Sequence, residues 1–313
     1  MIGTICLMIG GRAMKALLLS AGQGRRLLPL TAGIPKCALP IRGRSILEWQ
    51  LETLAGCGVD RVTVVVGFAA DHVERLLGAR AWPYQVRTLY NPFFAVADNL
   101  VSCWVAAPEL TEDLVLINGD TLFEAAVLRR LLEAPHRPVT LAVDHKAAYD
   151  ADDMKVSLDG DRLLAVGKRL PAADVHGESI GMMVFRGDGP ALFRAGLDRA
   201  VRRPEALRHW YLSVIDELAR AGHVGAASIH GLDWTEVDSA EDLACAEALI
   251  DAARGPQSEG APSPTIARTS RKSSSVSTST AASGKGRVTA ATLSPIRPDT
   301  RAKPSSSVIR PSP

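Results

Sequence analysis

The 313-residue chain is poor in aromatic side chains: Phe, Trp and Tyr make up only 5% of it. A core must therefore come mainly from Leu, Val, Ile and Ala, which a 47% hydrophobic fraction can supply. Long apolar runs are missing too. Residues 63–70 form about the longest, far short of the ~20 residues that cross a bilayer, so no membrane partner is expected. Residues 1–13 hold a short apolar stretch with neither a basic segment before it nor a small-residue cleavage site after it. A secretory signal is not expected, and translation is expected to begin at Met14. The five cysteines (Cys6, Cys37, Cys57, Cys103, Cys245) are widely spaced, with no C-x-x-C pair. That supports neither a zinc knuckle nor a disulfide framework, and it suits a reducing cytoplasm. The seven histidines show no ligand spacing. Ser20 and Ser102 lack a His/Asp constellation, so covalent acyl chemistry has no support.

An excess of charge of either sign is missing too, although the two signs are unevenly placed. The net charge is +2, yet from Ala261 onward there are nine Lys/Arg and one acid, Asp299. The preceding residues carry 27 basic and 33 acidic groups, so basicity belongs to the tail and says nothing for nucleic-acid binding by the body.

What is present is an alternation of strand and helix patterns. Strands are expected at 15–20, 61–66, 86–90, 114–117 and 139–143. Helices are expected at 45–54, 71–77, 99–107 and 125–132. This order implies an α/β fold with a Rossmann-like mixed, mostly parallel sheet and helices on both faces. Residues 154–166 then read as a hairpin turning at Asp159-Gly160-Asp161, a small antiparallel insertion. A strand at 179–185, a helix at 210–221, strands at 224–229 and 235–237, and a last helix follow. Ser239 and Asp242 form a capping-box pattern that opens this last helix, expected to end at Ala253. The domain is expected over 14–254, after an extension at 1–13. Residues 255–313 are rich in Ser, Pro and Arg without hydrophobic periodicity, which predicts a disordered basic tail.

The densest chemical signal follows the first strand. Leu18-Leu19-Ser20-Ala21-Gly22-Gln23-Gly24-Arg25-Arg26-Leu27-Leu28-Pro29-Leu30-Thr31 precedes Pro35-Lys36. Gly22 and Gly24 let the backbone turn tightly and bring N–H groups against phosphate oxygens, with Leu19 and Ala21 beside them. Arg25 and Arg26 add cationic forks, and Lys36 a point charge. A Walker loop would need Gly-Lys-Ser/Thr, which is absent. A dinucleotide fingerprint would need Gly where Leu27 stands.

Two acidic segments end later strands: Asn118-Gly119-Asp120 and Thr235-Glu236-Val237-Asp238. Open parallel sheets bind ligands at the carboxyl ends of their strands, and Mg²⁺ takes one or two carboxylates while keeping waters and phosphates. Asp120 and Asp238 are the candidate metal ligands. The competing readings are a turn residue for Asp120 and a helix N-terminal charge for Asp238.

The glycine loop resembles the signature of the nucleotidyltransferase (NTP-transferase) family, A-A-G-x-G-x-R-L-x-P-x-T followed by P-K. Within that family it resembles the bacterial phosphocholine and inositol-1-phosphate cytidylyltransferases, relatives of the sugar-1-phosphate nucleotidylyltransferases. Ser20 stands in place of the first Ala. The resemblance covers about residues 15–250 and implies Mg²⁺-dependent transfer from an NTP, CTP foremost, to a small phosphorylated or phosphonate acceptor. It implies that Arg26 and Lys36 are the catalytic cations and that Asp120 and Asp238 hold Mg²⁺. Asn99 and Ser102 match an N-x-x-S segment that reads the base or lines the acceptor pocket, although Asn99 also reads as a helix cap. Lys155 and Lys168 resemble acceptor-phosphate clamps, against the alternative of an ordinary charged hairpin surface, which competes more strongly at Lys155. Glu178 is expected to face acceptor hydroxyl or ammonium groups, and Trp210 and Tyr211 a quaternary ammonium, against the alternative of ordinary core packing. The rival activity is a sugar-1-phosphate nucleotidylyltransferase using UTP, dTTP or GTP. A non-catalytic nucleotide-binding module is the rival of another class, and a homodimer is left open.

Overall fold

The computed structural model describes residues 14–254. The expectations for 1–13 and 255–313 lie outside the described residues. The chain runs β1 (Met14–Ser20), β2 (Pro40–Ile41), β3 (Arg44–Ser45), α1 (Ile46–Ala55), β4 (Val59–Val66), α2 (Ala70–Gly78) and β5 (Gln85–Tyr90). It continues through α3 (Asn99–Val105), β6 (Leu114–Asn118), β7 (Thr121–Phe123), α4 (Ala125–Glu133) and β8 (Val139–Asp144). The hairpin β9 (Lys155–Asp159) and β10 (Arg162–Gly167) leads to β11 (Gly177–Phe185), α5 (Gly189–Ala200) and α6 (Leu212–Arg220). The last elements are β12 (Val224–Ser228), β13 (Trp234–Glu236) and α7 (Ala240–Arg254).

Nine strands form one sheet in the order β5-β4-β1-β6-β11-β8-β12-β10-β9. The β5-β4-β1-β6 half is parallel throughout. The other half is mixed: β11 runs antiparallel to both β6 and β8, while β12 is parallel to β8. Antiparallel pairing therefore extends beyond the expected hairpin.

Strand alternation divides the core between the two faces. Leu17, Leu116, Leu141 and Met183 pack with Phe193, Tyr211 and Ile215 of the α5–α6 side. Ala16, Leu18, Ile117 and Met182 pack with Leu47, Leu51, Val73 and Leu128 of α1, α2 and α4. A third cluster joins Leu27 of the glycine-loop segment to Ile46, Val237, Ala246 and Ile250, so α7 anchors that loop from beneath.

Helix α5 was not expected from its sequence. Gly187, Gly189 and Pro190 look like a breaker, but Pro190 sits in the first turn, where its missing N–H costs nothing. Gly196 lets α5 approach α6, since a Cβ there would lie 2.4 Å from Val214 Cγ1.

Chain order reverses between β1 and β6: β4 and β5 lie to one side of β1, and β6 to the other. The carboxyl ends of these two strands flank the crevice in which open α/β sheets bind ligands.

Candidate active site

A cavity of about 480 Å³ opens at that crevice. Leu19, Ala21, Gly22, Gly24, Arg25, Arg26 and Lys36 line one side, and Asn118, Gly119 and Asp120 the floor. Gly24 has φ +74°, a left-handed conformation that glycine adopts without strain. Its missing side chain also makes room for Lys36, because a Cβ would stand 2.8 Å from Lys36 Cβ. Thr31 is fully buried, and its hydroxyl donates to Gly24 O at 2.8 Å, tying the far end of the loop back to the bend. Leu27 is buried in the third cluster. Leu27 and Thr31 of the motif thus form the framework of the loop.

The Lys36 ammonium lies between two carboxylates. It donates to Asp120 Oδ2 at 2.7 Å and also to Asp238 Oδ1. Arg26 Nη2 donates to the other Asp238 oxygen at 2.7 Å. Burial on its own would lower the Lys36 pKa, but the charges of Asp120 and Asp238 outweigh it and hold the ammonium above its ordinary value.

Asp120 does sit in a turn and Asp238 just ahead of α7, yet both carboxylates also face the cations of the cavity. The amides of Asp238 and Ser239 are taken by Asp242 Oδ2, while the Asp238 carboxylate faces Lys36 and Arg26. Asp120 turns its Oδ2 to Lys36, and its Oδ1 is buried with no hydrogen-bond partner. Glu236, singled out by neither spacing nor motif, joins them. Asp120, Glu236 and Asp238 each offer an oxygen within 4.8 Å of the others. The reason is register: β13 pairs with β7, placing Glu236 opposite Thr121, the residue after Asp120. Three carboxylates with an orphaned oxygen among them suit a hard divalent cation.

On the opposite wall, Asn99 and Ser102 both line the cavity. Asn99 is not a helix cap: Asp98 holds that position, and Asn99 Oδ1 accepts from the Tyr211 amide at 3.0 Å. Ser102 Oγ accepts from Asn91 Nδ2 at 3.0 Å. Lys168 lies over the Trp210 ring, 4.4 Å from its centroid, and pairs with Asp152 at 3.1 Å.

Two expectations need correction. Lys155 does not line the cavity. Its buried ammonium donates to the carbonyls of Asp150 and Lys168, bracing the hairpin instead of awaiting a ligand. Tyr211 borders the cavity, but its ring is fully buried against Phe193 and its hydroxyl donates to Asn118 Oδ1 at 3.0 Å, so it packs as core and not as an open ammonium platform. Burial holds that hydroxyl well above its ordinary pKa, so it remains a neutral donor.

Glu178 lines the cavity but already has partners. Lys146 bridges it at 3.0 Å and Asp153 at 2.7 Å. Burial pushes the Glu178 carboxyl up to about 7, with Lys146 opposing the rise and Asp153 adding to it.

A glycine-bent loop, a lysine among carboxylates and a cavity at the strand switch form a cleft suited to an anionic, phosphate-bearing ligand. The chain belongs to the MobA-like NTP transferase domain family, whose profile matches residues 16–221. It is 32% identical over 241 residues to the CMP-5'-(3-aminopropyl)phosphonate synthase of Streptomyces rubellomurinus, covering 73% of this chain and 37% of that one. It is 31% identical over 247 residues to the bifunctional IPC transferase and DIPP synthase of Rubrobacter xylanophilus, covering 77% of this chain and 53% of that one. This chain thus spans between about a third and a half of those relatives' length. Among solved structures, the inositol-1-phosphate CTP transferase from T. maritima superposes with TM-score 0.66 at 22% identity, over 76% of this chain and 96% of that one. The CTP:phosphocholine cytidylyltransferase from Streptococcus pneumoniae superposes with TM-score 0.63 at 19% identity, over 77% and 100%. These likenesses establish the shared fold. Among the described residues, no helix is long and apolar enough to cross a membrane.

Proposed function

We propose that the protein is a cytidylyltransferase that joins CTP to a small alcohol phosphate or phosphonate and releases pyrophosphate. The observation that carries this reading is the Lys36 ammonium held between Asp120 and Asp238, with the lysine's side chain packed against Gly24. The preference for CTP draws support from relatives named for CMP or CTP chemistry, including a CTP:phosphoglutamine cytidylyltransferase of Campylobacter jejuni at 24% identity.

The triphosphate would lie along the loop, taking the backbone N–H groups around Gly22 and Gly24 and the guanidinium groups of Arg25 and Arg26. An anionic oxygen of the acceptor attacks the α-phosphorus. The new P–O bond forms as the bond to the bridging oxygen breaks, and pyrophosphate leaves with that electron pair. No proton has to move, so alignment and fixed charge carry the rate. Lys36 is positioned to meet the charge on the transferred phosphoryl group. Asp120, Glu236 and Asp238 would hold Mg²⁺, which when bound supplies neutralising charge at phosphate oxygens. The Asn99 NH₂ group makes no hydrogen bond among the described residues, so it is available to a base or acceptor while its Oδ1 is spent on Tyr211. Lys168, lining the cavity beside Trp210, would meet the acceptor phosphate. Glu178 and the Trp210 ring form a wall suited to an acceptor with an ammonium or hydroxyl group.

Pyrophosphate release with Mg²⁺ tests the reading. CTP, UTP, GTP, ATP and dTTP are each offered with phosphocholine, aminoethylphosphonate, inositol phosphate and glucose 1-phosphate. Release with CTP and an alcohol phosphate or phosphonate is expected. Release only with another base and the sugar phosphate would replace this reading with a sugar-1-phosphate nucleotidylyltransferase.

A further inference from the structure

The turn that carries Asp120 is gripped by a side chain from a separate element. Gln50 of α1 is 1% exposed. Its amide NH₂ donates to Asn118 O at 2.8 Å and to Thr121 O at 2.8 Å. Those two carbonyls flank Gly119 and Asp120, so one side chain spans the whole turn with both of its N–H groups. Its own carbonyl, Oε1, is buried and has no hydrogen-bond partner. Flipping the amide would set an oxygen against two carbonyl oxygens, so the NH₂ must face the turn. Leaving a buried acceptor unmade is costly, and residues of similar shape would fill the space without that cost. What Gln50 provides in exchange is the grip itself.

The turn has little freedom elsewhere. The Gly119 amide donates to Leu19 O at 3.0 Å, and a Cβ on Gly119 would stand 2.5 Å from that same oxygen. The Val237 amide donates to Asp120 O at 3.0 Å, linking the turn to the segment that carries Asp238. Gln50 closes this frame on the α1 side, where nothing of the cavity reaches it.

We propose that Gln50 is a positioning residue for the metal site: it fixes the Asn118–Thr121 turn so that the Asp120 carboxylate faces Glu236, Asp238 and Lys36. This rests on the reading of Asp120 as a metal ligand. Partners one step removed from a metal change its affinity by roughly 10–100-fold when lost.

The test uses Mn²⁺ as the probe, with binding followed by loss of the free-ion electron paramagnetic resonance signal in the absence of nucleotide. Gln50→Leu is expected to bind Mn²⁺ at least about tenfold more weakly than wild type. It should also need correspondingly more Mg²⁺ for half-maximal pyrophosphate release, with KM for CTP at saturating Mg²⁺ little changed. Val127→Ala, a cavity substitution in α4, serves as the purely structural control and should leave Mn²⁺ affinity unmoved. Wild-type Mn²⁺ affinity in folded Gln50→Leu would overturn the proposal, and so would a wild-type protein that binds no Mn²⁺. Should Gln50→Leu fail to fold, Gln50→Glu keeps the length but aims a carboxyl oxygen at the two carbonyls, and unchanged Mn²⁺ affinity there would overturn it equally. A Gln50-dependent Mn²⁺ site in a protein that turns over no substrate pair would uphold the positioning role and sink only the proposed reaction.

Discussion

Lys36→Met separates chemistry from architecture at this site. Methionine keeps most of the length and packing of the side chain and removes only the charge. The ammonium contacts Asp120 and Asp238, and the three side chains are 11%, 22% and 10% exposed. Removing one partner from a buried ion pair costs about 3–5 kcal/mol. The low end applies, because Asp238 keeps Arg26 at 2.7 Å and Asp120 keeps some contact with water. For a domain of this size, about 3 kcal/mol lowers Tm by roughly 6–12 °C. A divalent cation can occupy the uncompensated carboxylates, so Mg²⁺ should raise the variant's Tm more than the wild type's. Turnover should suffer beyond any loss of fold. Loss of one preorganised charge at the reacting phosphoryl group costs about 10²–10³ in kcat. The pH dependence has a definite sign as well. The folded Lys36 pKa lies above the unfolded 10.5, so its contribution is complete below 10.5 and is lost as pH rises through the folded value. Alkaline unfolding of the variant should lack that component. Pyrophosphate release and thermal unfolding, each with and without Mg²⁺, are the measurements. A folded Lys36→Met protein with kcat close to wild type would refute the assignment of this lysine to the transition state.

Gly24→Ala combines a left-handed backbone with a clash against Lys36 Cβ, so urea unfolding should show a loss of about 1–2 kcal/mol and turnover should fall as Lys36 is displaced. Glu178 holds its proton up to about 7 in the folded state against an ordinary 4.5, so its contribution to stability declines as pH rises between those values. Glu178→Gln should flatten the urea midpoint across that window, and an acceptor with an ammonium group should show a KM that falls in the same window for wild type alone. Lys168→Ala should raise acceptor KM with little change in Tm, whereas Lys155→Ala should lower Tm, because its ammonium braces the hairpin carbonyls; the reverse pattern would reassign the clamp.

The parts of this site that could be read in the sequence are those fixed by local backbone chemistry. Gly22, Gly24, Pro29 and Thr31 are spaced as one loop demands, and the acids at 120 and 238 each end a strand-like run. The element order likewise followed from continuous apolar runs, because β1, β4 and β6 are buried on both faces. What stayed hidden depends on register and tertiary reach. Glu236 enters the acid cluster only because β13 pairs with β7. Gln50 looks like any polar helix residue until α1 packs against the turn 68 residues further on. Sequence favours Lys168 over Lys155 only by degree, whereas the fold separates them outright: one side chain folds back on its own hairpin and the other covers Trp210. Helix α5 was obscured because Gly189 stands in its first turn and Gly196 serves packing against α6, neither breaking the helix.

The charge arrangement also predicts the form in which nucleotide binds. The cavity floor sets Asp120, Glu236 and Asp238 beside Lys36 and Arg26, the two cations that contact Asp120 and Asp238. A bare triphosphate would bring negative charge toward a floor in which carboxylates outnumber those cations. One unit of charge about 4 Å from another is worth roughly 1–4 kcal/mol between bulk water and a protein surface. Nucleotide stripped of metal should therefore bind at least about fivefold more weakly than its Mg²⁺ complex. Calorimetry with CTP in excess Mg²⁺ and in excess chelator measures the difference directly. The Asp120→Asn, Asp238→Asn double variant sharpens the argument, because it removes two of the three negative charges and two of the three ligands together. In that variant the preference for the Mg²⁺ complex should collapse, while the loop and Arg26 still hold the phosphates. Equal binding of both forms by wild type would mean that the loop cations dominate the field and that the acid cluster does not take part in nucleotide capture.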